Sequence, residues 1–231
     1  MEGIGEIATV QLIPALGSFG YLNYRTLINS WIVIVFLITV AIIIRRRLSP
    51  VPGKLQVLAE MLIGAFDGLV ADALEFETVE KNRKLFHVVT VEFLFLALCN
   101  YMGLIPGFGG SEPTADYNTP LALALMAFVL WTYWGIKEQG FLGYVKGFFQ
   151  PIFVIAPLNF VDQVSRVLSM SFRLFGNIMG GAIIIIVVGY LLKQLIIPIP
   201  LGLFFGLFVG SVQAFVFTML TLTYIAVSCK E

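Results

Sequence analysis

One arginine lies inside a long apolar stretch of the sequence, where a permanent charge is energetically unfavourable. Arg173 is flanked by apolar residues on both sides, and no acidic residue lies nearby in sequence to neutralise it. An arginine at bilayer depth costs about 3 kcal/mol or more on insertion scales, and arginine side chains keep their proton in proteins. We favour a fixed positive charge beside an ion pathway. The alternative is an arginine that reaches the membrane interface or is satisfied by carbonyl oxygens.

The predicted helix face around Arg173 is small and polar. Gly176, Asn177 and Gly180 follow the arginine at i+3, i+4 and i+7, and Arg166 precedes it at i−7. This spacing places all of them on one side of a helix. Small residues allow the backbone of another helix to approach closely within a membrane. We therefore expect a partner to pack or move beside Arg173.

A carboxyl group lies in another apolar segment. Glu92 is about two helical turns into that segment, and Asn100 follows it at i+8. An acidic residue at this depth is unfavourable and by default indicates a functional site. The alternative is a structural role as the partner of an arginine elsewhere, either Arg166 or Arg173. The sequence leaves both interpretations open.

The composition places these residues in a membrane protein. The hydrophobic fraction is 59%, the charged fraction is 12% and the mean hydropathy is +0.95, whereas soluble domains carry about 25% charged residues. The continuous apolar stretches predict an all-α integral membrane protein and exclude the short alternating strands of an outer-membrane barrel. Zero net charge gives no indication of a nucleic-acid partner, and no metal-binding or nucleotide-binding motif occurs in the sequence.

Five segments are long enough to cross a bilayer, which takes about 20 apolar residues. The predicted spans are 27–44, 85–105, 120–136, 151–192 and 201–227, after an external arm at 1–26. The fourth span is about twice the necessary length, which predicts a strongly tilted helix that forms a hairpin with the fifth. Residues 54–74 have helical amphipathic spacing, and we expect a helix along the cytoplasmic surface or one packed on the protein.

Basic residues predict the orientation of these spans. Arg45–Arg47 end the first span, and Lys137 follows the third. The loop 107–119 instead contains Glu112 and Asp116, without lysine or arginine. The positive-inside rule therefore places the N-terminus outside and the C-terminus in the cytoplasm, in the inner (plasma) membrane of a cell.

The last span carries a stripe of small residues. Gly202, Gly206, Gly210 and Ala214 repeat at i+4, and Gln213 borders them. Such a stripe favours close contact with a neighbouring helix in a membrane.

The motif around Arg173 resembles subunit a of the F-type ATP synthase membrane sector. The resemblance rests on Ser171-Phe-Arg-Leu-Phe-Gly-Asn177 and on the downstream segment from Gln213 to Tyr224. Three further stretches agree and occur in the same order, namely Thr26–Trp31, Leu98–Gly107 and Pro113–Thr119. Together these stretches cover nearly the whole chain.

The resemblance implies a stator subunit, without a cofactor or catalytic activity of its own, that works against a rotating c-ring. An ion, H⁺ or Na⁺, would enter one half-channel from outside, bind a ring carboxylate and leave by a second half-channel to the cytoplasm. Arg173 would separate the half-channels, with Gln213 and Asn177 as polar supports. The other implied partners are the b subunits of the peripheral stalk, the soluble catalytic head and the lipid bilayer.

The resemblance also assigns residues elsewhere in the chain. Asn100, Asp116 and Asn118 would line or guard the outer half-channel, while Asp162 is a candidate for the cytoplasmic exit. Glu92 and Arg166 are further candidates for the ion pathway. The small residues of the last two spans would face the rotor, and these are Gly176, Gly180, Gly202, Gly206, Gly210 and Ala214.

Two positions depart from the pattern of proton-type members. Those members usually carry glutamate nine positions after the arginine, where this chain has Ala182, and commonly an ionisable residue seven before the glutamine, where it has Gly206. Two explanations stay open. Glu92 replaces the missing relay, or the coupling ion is sodium, which needs a hydrated path but no titrating side chain.

Two other functions compete with this one. A secondary transporter or channel that acts without a rotor would show internal repeats and broken helices at the midplane, and we find no convincing repeat between the halves. A purely structural membrane anchor would not need Arg173, Glu92 and Gln213 at bilayer depth.

Overall fold

Long apolar runs fold as helices in a membrane because a helix satisfies its own backbone hydrogen bonds. The computed structural model describes residues 9–11, 21–46, 48, 52–74, 79–105, 112–147, 156–191 and 198–230. Five helices are long and apolar enough to span a membrane, namely Tyr24–Arg46, His87–Leu104, Asn118–Gln139, Ala156–Leu191 and Pro200–Cys229. The predicted all-α integral membrane fold is thereby confirmed. Parts of the predicted segments 1–26 and 151–192 lie outside the described residues.

The helices differ from the expected spans mainly at their ends. In chain order they are α1 (Tyr24–Arg46), α2 (Lys54–Leu74), α3 (Val79–Tyr101), α4 (Asn118–Gln139), α5 (Phe141–Gly147), α6 (Ala156–Leu191), α7 (Pro198–Leu203) and α8 (Gly210–Lys230). Two short 3₁₀ turns, Met102–Leu104 and Pro113–Ala115, lie between α3 and α4. The first helix therefore begins inside the stretch expected to be an external arm.

A small β-ribbon, which the sequence analysis did not anticipate, precedes α1. Strand β1 (Thr9–Gln11) pairs antiparallel with strand β2 (Tyr21–Asn23), and Thr9 lies opposite Asn23. Because β2 leads directly into α1, the ribbon fixes how the chain enters its first span.

The apolar core lies among α3, α4, α6 and α8. Trp131 of α4, Phe217 of α8, Leu96 of α3 and Met170 of α6 are all almost completely buried in one cluster. Helix α1 lies at the edge of this core, and most of its side chains are exposed. These four helices therefore position the polar residues named above, such as Glu92, Asn177 and Gln213.

Helix α2 packs on the protein along one side. Phe66 and Val70 are buried, and the ring of Phe66 lies 4.8 Å from that of Phe93 on α3. Leu58 and Met61 on α2 are exposed. One side of the helix is therefore buried against the core, and apolar residues also lie on its exposed side.

Helix α6 is a single helix of 36 residues. With a rise of 1.5 Å per residue it is about 54 Å long, whereas the hydrocarbon core of a bilayer is about 30 Å thick. An upright helix of this length does not fit, so α6 tilts or extends beyond the hydrocarbon.

The last span is not one continuous α-helix. Helix α7 ends at Leu203, a π-helical turn occupies Phe204–Val209, and α8 begins at Gly210. A π-turn has i→i+5 hydrogen bonds and so changes the phase of the helix. Residues four positions apart before and after it consequently do not stay on one line.

Candidate functional site

A hydrogen bond between two amide side chains joins α6 to α8. Asn177 Nδ2 donates to Gln213 Oε1 at 2.5 Å. Gln213 is only 3% exposed, and its Nε2 has no hydrogen-bond partner among the described residues. Leaving a buried donor unpaired is unfavourable, by about 1–3 kcal/mol. The two polar residues expected beside the arginine are therefore brought together, with one donor unused.

Arg173 lies one turn before Asn177 and is exposed. Within the described part of the chain, the arginine makes no hydrogen bond or ion pair. Ser169 and Phe172 on the same side of α6 are also exposed. The charge therefore lies on an open surface of a helix whose other exposed residues are mostly apolar.

The second arginine of α6 has different surroundings. The guanidinium of Arg166 pairs with Asp162 at 2.7 Å and lies 5.0 Å from the centre of the Tyr224 ring on α8. A carboxylate and an aromatic face both stabilise a guanidinium. Arg166 is therefore satisfied within the subunit, although it belongs to the same helix as the exposed Arg173.

A cavity of about 340 Å³ lies beside the Asn177–Gln213 pair. Its wall comes from α6, from the last span and from the end of α3, and both amide side chains line it. Ala182 and Gly206, the two positions where the resemblance leads one to expect ionisable groups, line the same cavity. Neither residue brings a polar or ionisable group into the cavity.

Asn100 lies in the cavity wall and connects three elements. Its Nδ2 donates to the carbonyl oxygen of Gly210 at 3.0 Å, and Thr114 Oγ1 donates to its Oδ1 at 2.9 Å. A Cβ built on Gly210 would lie 3.0 Å from the Cβ of Asn100, so the glycine permits this close approach of α8 to α3. Asn100 thus lines the cavity and also anchors the loop before α4.

The cavity also receives a carboxyl group that sequence reasoning treated only as a loop charge. Glu112 lines the cavity, and burial raises its pKa from 4.5 to about 7. A Cβ built on Gly103 would overlap with the Glu112 carboxylate, so the side chain occupies space that the glycine leaves free. In the sequence, the only indication was an acidic residue, Glu112, in the loop that follows the second span. The contact between Glu112 and Gly103 becomes visible only in the folded structure.

Asp116 and Asn118, both expected at the outer half-channel, do not line this cavity. Asp116 Oδ1 accepts hydrogen bonds from the backbone N and the Nδ2 of Asn118, at 3.1 and 3.0 Å. Its Oδ2 accepts a hydrogen bond from Thr26 Oγ1 at 3.3 Å. The aspartate therefore fastens the start of α4 to α1.

Glu92 is almost completely buried between α3 and α8. It is 3% exposed, and its Oε1 accepts a hydrogen bond from Thr221 Oγ1 at 3.3 Å. Its Oε2 has no partner among the described residues, and neither Arg166 nor Arg173 pairs with it. Glu92 also does not line the cavity. Among the described residues, no group of three or more His, Cys, Asp or Glu side chains could hold a metal ion.

Three of the small residues lie on open surface. A Cβ built on Gly176, Gly180 or Gly202 would meet no atom within 4 Å. These positions therefore allow close approach of another helix.

The other three small residues face the inside of the subunit. A Cβ built on Gly206 would lie 2.5 Å from Leu104 Cδ2, Gly210 contacts the end of α3, and Ala214 is fully buried. Gly206, Gly210 and Ala214 therefore contact other parts of the subunit, and their position against a rotor stays a prediction. The end of α3 and the turn after it cover this part of the stripe, through Asn100 and Leu104.

Comparison with known proteins confirms the resemblance. A family model described as ATP synthase A chain matches residues 27–226. ATP synthase subunit a of Moorella thermoacetica is 34% identical over 203 residues, which cover 88% of this chain and 89% of that protein.

Two further relatives match over similar lengths. ATP synthase subunit a 1 of Syntrophotalea carbinolica is 38% identical over 221 residues, covering 94% of this chain and 89% of that protein. ATP synthase subunit a of Desulfosudis oleivorans is 37% identical over 223 residues, covering 94% and 93%. With a family model that matches most of its length and relatives that match nearly all of it, this chain belongs to the ATP synthase A chain family.

Proposed function

We propose that this chain passes ions between two offset half-channels separated by Arg173, with the cavity beside Asn177 and Gln213 as the outer one. As a member of its family, the chain is the ion-translocating stator subunit of an F-type ATP synthase and a non-catalytic part of the membrane sector. The observation that carries the proposal is the exposed Arg173, which lies one turn before Asn177, while Asn177 and its partner Gln213 line a cavity.

A ring carboxylate is the partner that we propose for Arg173. Opposite charges within about 4–6 Å favour the ionised form of an acid, so a carboxylate that faces Arg173 releases its ion. The guanidinium stays charged and repels a cation that would otherwise leak directly between the half-channels. The open positions Gly176, Gly180 and Gly202 leave room for the helices of the ring.

In this mechanism the ion enters the outer cavity, passes Asn100, Gln213 and Asn177, and binds a ring carboxylate. Asp116 and Asn118 hold the loop at the entrance. After nearly a full rotation, the ion leaves on the other side of Arg173. Each unit charge that crosses 100 mV supplies about 2.3 kcal/mol, so several ions must combine to drive the synthesis of one ATP. A leak between the half-channels would lose that work.

We place Glu92, Asp162 and Arg166 on the route to the cytoplasm. Their contacts to α8 support this, because Glu92 binds Thr221 and Arg166 lies over Tyr224, three residues further along that helix. Both contacts lie closer to the C-terminal end of α8 than Gln213 does, and the positive-inside rule places that end in the cytoplasm.

The chain is a multi-pass membrane protein, and we propose that it lies in the inner membrane with its N-terminus outside. Its proposed partners are the c-ring, the b subunits of the peripheral stalk and, through the complex, the catalytic head. The coupling ion is H⁺ or Na⁺. ATP-driven sodium uptake that persists with a protonophore identifies sodium, whereas acidification without sodium that the protonophore collapses identifies protons.

Replacement of Arg173 by lysine tests the proposal. We expect coupled ATP synthesis to fall below detection while the complex still assembles, because lysine lacks the planar guanidinium and can lose its proton when desolvated. ATP synthesis is measured in membrane vesicles, and assembly is measured by purification of the whole complex.

The matched control is Arg46→Lys, at an exposed arginine at the end of α1, and this variant should synthesise ATP normally. Normal synthesis by the Arg173→Lys variant would remove Arg173 from the mechanism. A chain that transports ions alone in liposomes, without ring or catalytic head, would instead support a rotor-free transporter.

A further inference from the structure

We propose that Glu112 is the proton-relay residue of the outer cavity, and that it takes up protons from the outside and passes them through water to the rotor carboxylate. This inference rests on the proposed function, because it names a residue on the route into the outer half-channel. Glu112 comes from the loop before α4 and enters the cavity where Ala182 and Gly206 offer no ionisable group.

The backbone around Glu112 is held by hydrogen bonds. Its carbonyl oxygen accepts a bond from the backbone N of Ala115 at 3.1 Å, which closes the Pro113–Ala115 turn. Thr114 in this turn is fully buried and donates to Asn100. Asn100 in turn donates to Gly210 on α8. The loop is thereby fixed to both walls of the cavity, and Glu112 is positioned by buried contacts.

The space for the side chain depends on a glycine. The Glu112 carboxylate lies where any side chain at position 103 would project, so Gly103 is required for this placement. Gly103 and Glu112 both line the cavity together with Gln213, whose Nε2 is unpaired among the described residues. The cavity thus connects an acid from the loop with the polar pair beside Arg173.

The chemistry of a relay requires both protonation states of the acid near the working pH. Burial raises the pKa of Glu112 to about 7, so its carboxyl group is largely protonated below pH 7 and ionised above it. In the relay, the ionised carboxylate takes a proton from water outside and becomes neutral. It then returns this proton to a cavity water on the way to the ring carboxylate, and the glutamate ends as it began.

Among the described residues that line the cavity, Glu112 is the one titratable side chain. Burial is the cause of its shifted pKa, with no contribution from a charged neighbour. The π-turn and α7 contribute no titratable residue. The other neighbouring elements carry titratable or charged groups that do not line the cavity, among them Arg25 on α1, Glu92, Cys99 and Tyr101 on α3, Asp116 and Tyr117 in the loop, and Arg173 on α6.

These neighbours have other surroundings. Tyr101 shares a hydrogen bond with Ser211 at 2.6 Å, and Tyr117 shares one with Ser171 at 3.4 Å. Asp116 binds Asn118, as described above. Arg25 and Arg173 are exposed. None of these groups lines the cavity, so the titration of the relay belongs to Glu112.

The test measures ATP synthesis by the whole complex in inverted vesicles, whose lumen corresponds to the outer side. Luminal pH is varied at constant external pH, and the membrane potential is adjusted in step so that the total proton-motive force stays constant. We expect the wild-type rate to rise as luminal pH falls through about 7, because the relay becomes loaded. Glu112→Gln should lower the rate at least about tenfold and abolish this dependence, while Glu112→Asp should retain it.

Two further variants test whether the relay needs a carboxyl group at this place in the cavity, and not only a carboxyl group somewhere in the chain. In Gly103→Ala the added methyl group displaces the carboxylate, so we expect a reduced rate and a pH midpoint shifted towards the ordinary glutamate value. Glu60→Gln removes an exposed carboxyl from α2 and should leave both rate and midpoint unchanged.

The outcomes distinguish this inference from the proposed function. A Glu112→Gln complex with wild-type rate and midpoint overturns the relay and leaves the half-channel mechanism intact. Wild-type synthesis that requires sodium at every luminal pH also overturns it. Arg173→Ala is measured in the same vesicles, and coupled synthesis in that variant overturns the proposed function itself.

Discussion

Two glutamates of this chain, Glu112 and Glu92, lie in opposite kinds of surroundings. Glu112 lines an open cavity, whereas Glu92 is enclosed between α3 and α8 with Thr221 as its described partner. Glu112 is half-buried and Glu92 is almost completely buried, so the two acids differ in how easily water reaches them. The difference is access, since an ion or a water molecule reaches an acid in a cavity wall without displacing a packed side chain.

The two arginines of α6 repeat this contrast. Arg166 is paired with Asp162 and covered by Tyr224, whereas Arg173 is exposed and has no partner within the described residues. A charge that is already satisfied gains little from a passing carboxylate, whereas an unsatisfied charge gains a new ion pair. In the proposed mechanism the accessible groups, Glu112 and Arg173, therefore meet the moving ion directly. The enclosed groups, Glu92 and Arg166, must first change their contacts.

Replacement of Glu92 by glutamine tests the enclosed side of this comparison, with the largest expected effect. Glutamine keeps the shape and the contact with Thr221 but cannot carry the charge. If the cytoplasmic route passes Glu92 as proposed, ATP-driven ion flux should fall at least about tenfold. The flux is measured in vesicles that contain the whole complex.

Thr221→Val provides the control for this variant, because it removes the hydroxyl donor and keeps the carboxylate. We expect a smaller loss of flux from it than from Glu92→Gln. An unchanged rate in Glu92→Gln would show that the enclosed glutamate is structural. Of the two acids, Glu112 would then be the one with a role in ion transfer, and Glu92 would contribute to packing.

Loss of the amide pair tests the open side, with an intermediate effect. Asn177→Ala removes the donor to Gln213 and leaves that buried amide without its described hydrogen bond. An unpaired buried polar group costs about 1–3 kcal/mol, so we expect ion flux to fall roughly tenfold if this cost falls on the transition state for transfer. Asn177→Gln can restore the bond, and recovery of flux in this variant distinguishes a polar support from a packing defect.

A fall in flux for Asn177→Ala that is matched by an equal loss of assembled complex would contradict this interpretation. The amount of complex is therefore measured in the same membranes.

The sequence predicted the helical elements well because their signal is local. Apolar runs of about 20 residues specify spanning helices without reference to the rest of the fold. The two features that were missed depend on non-local or subtle causes. The β-ribbon needs pairing of Thr9–Gln11 with Tyr21–Asn23, and the π-turn at Phe204–Val209 leaves no period in the sequence that differs clearly from an α-helix.

The site was predictable where a motif carried it. Arg173, Asn177 and Gln213 were identified from the motif and come together as an exposed charge beside a bonded pair. Glu112 was not identified from the sequence because its place in the cavity depends on Gly103, which precedes it in another element. The contact of Gly206 with Leu104 was not predictable either, since spacing predicts which residues share a face but not which helix covers that face.

A variant in the loop before α4 has the smallest expected effect. It also tests whether access to the cavity is what distinguishes Glu112 from Glu92. Asp116→Asn keeps an oxygen that can accept from Asn118, but the amide that replaces Oδ2 cannot accept the hydrogen bond from Thr26. A partly exposed hydrogen bond of this kind is worth about 1 kcal/mol, so we expect a slightly lower thermal stability of the complex and about a twofold change in flux at most. If Asp116→Asn instead lowers flux and shifts the luminal pH midpoint as much as Glu112→Gln, the entering proton is handled at the start of α4. Access to the cavity would then not be the property that separates Glu112 from Glu92.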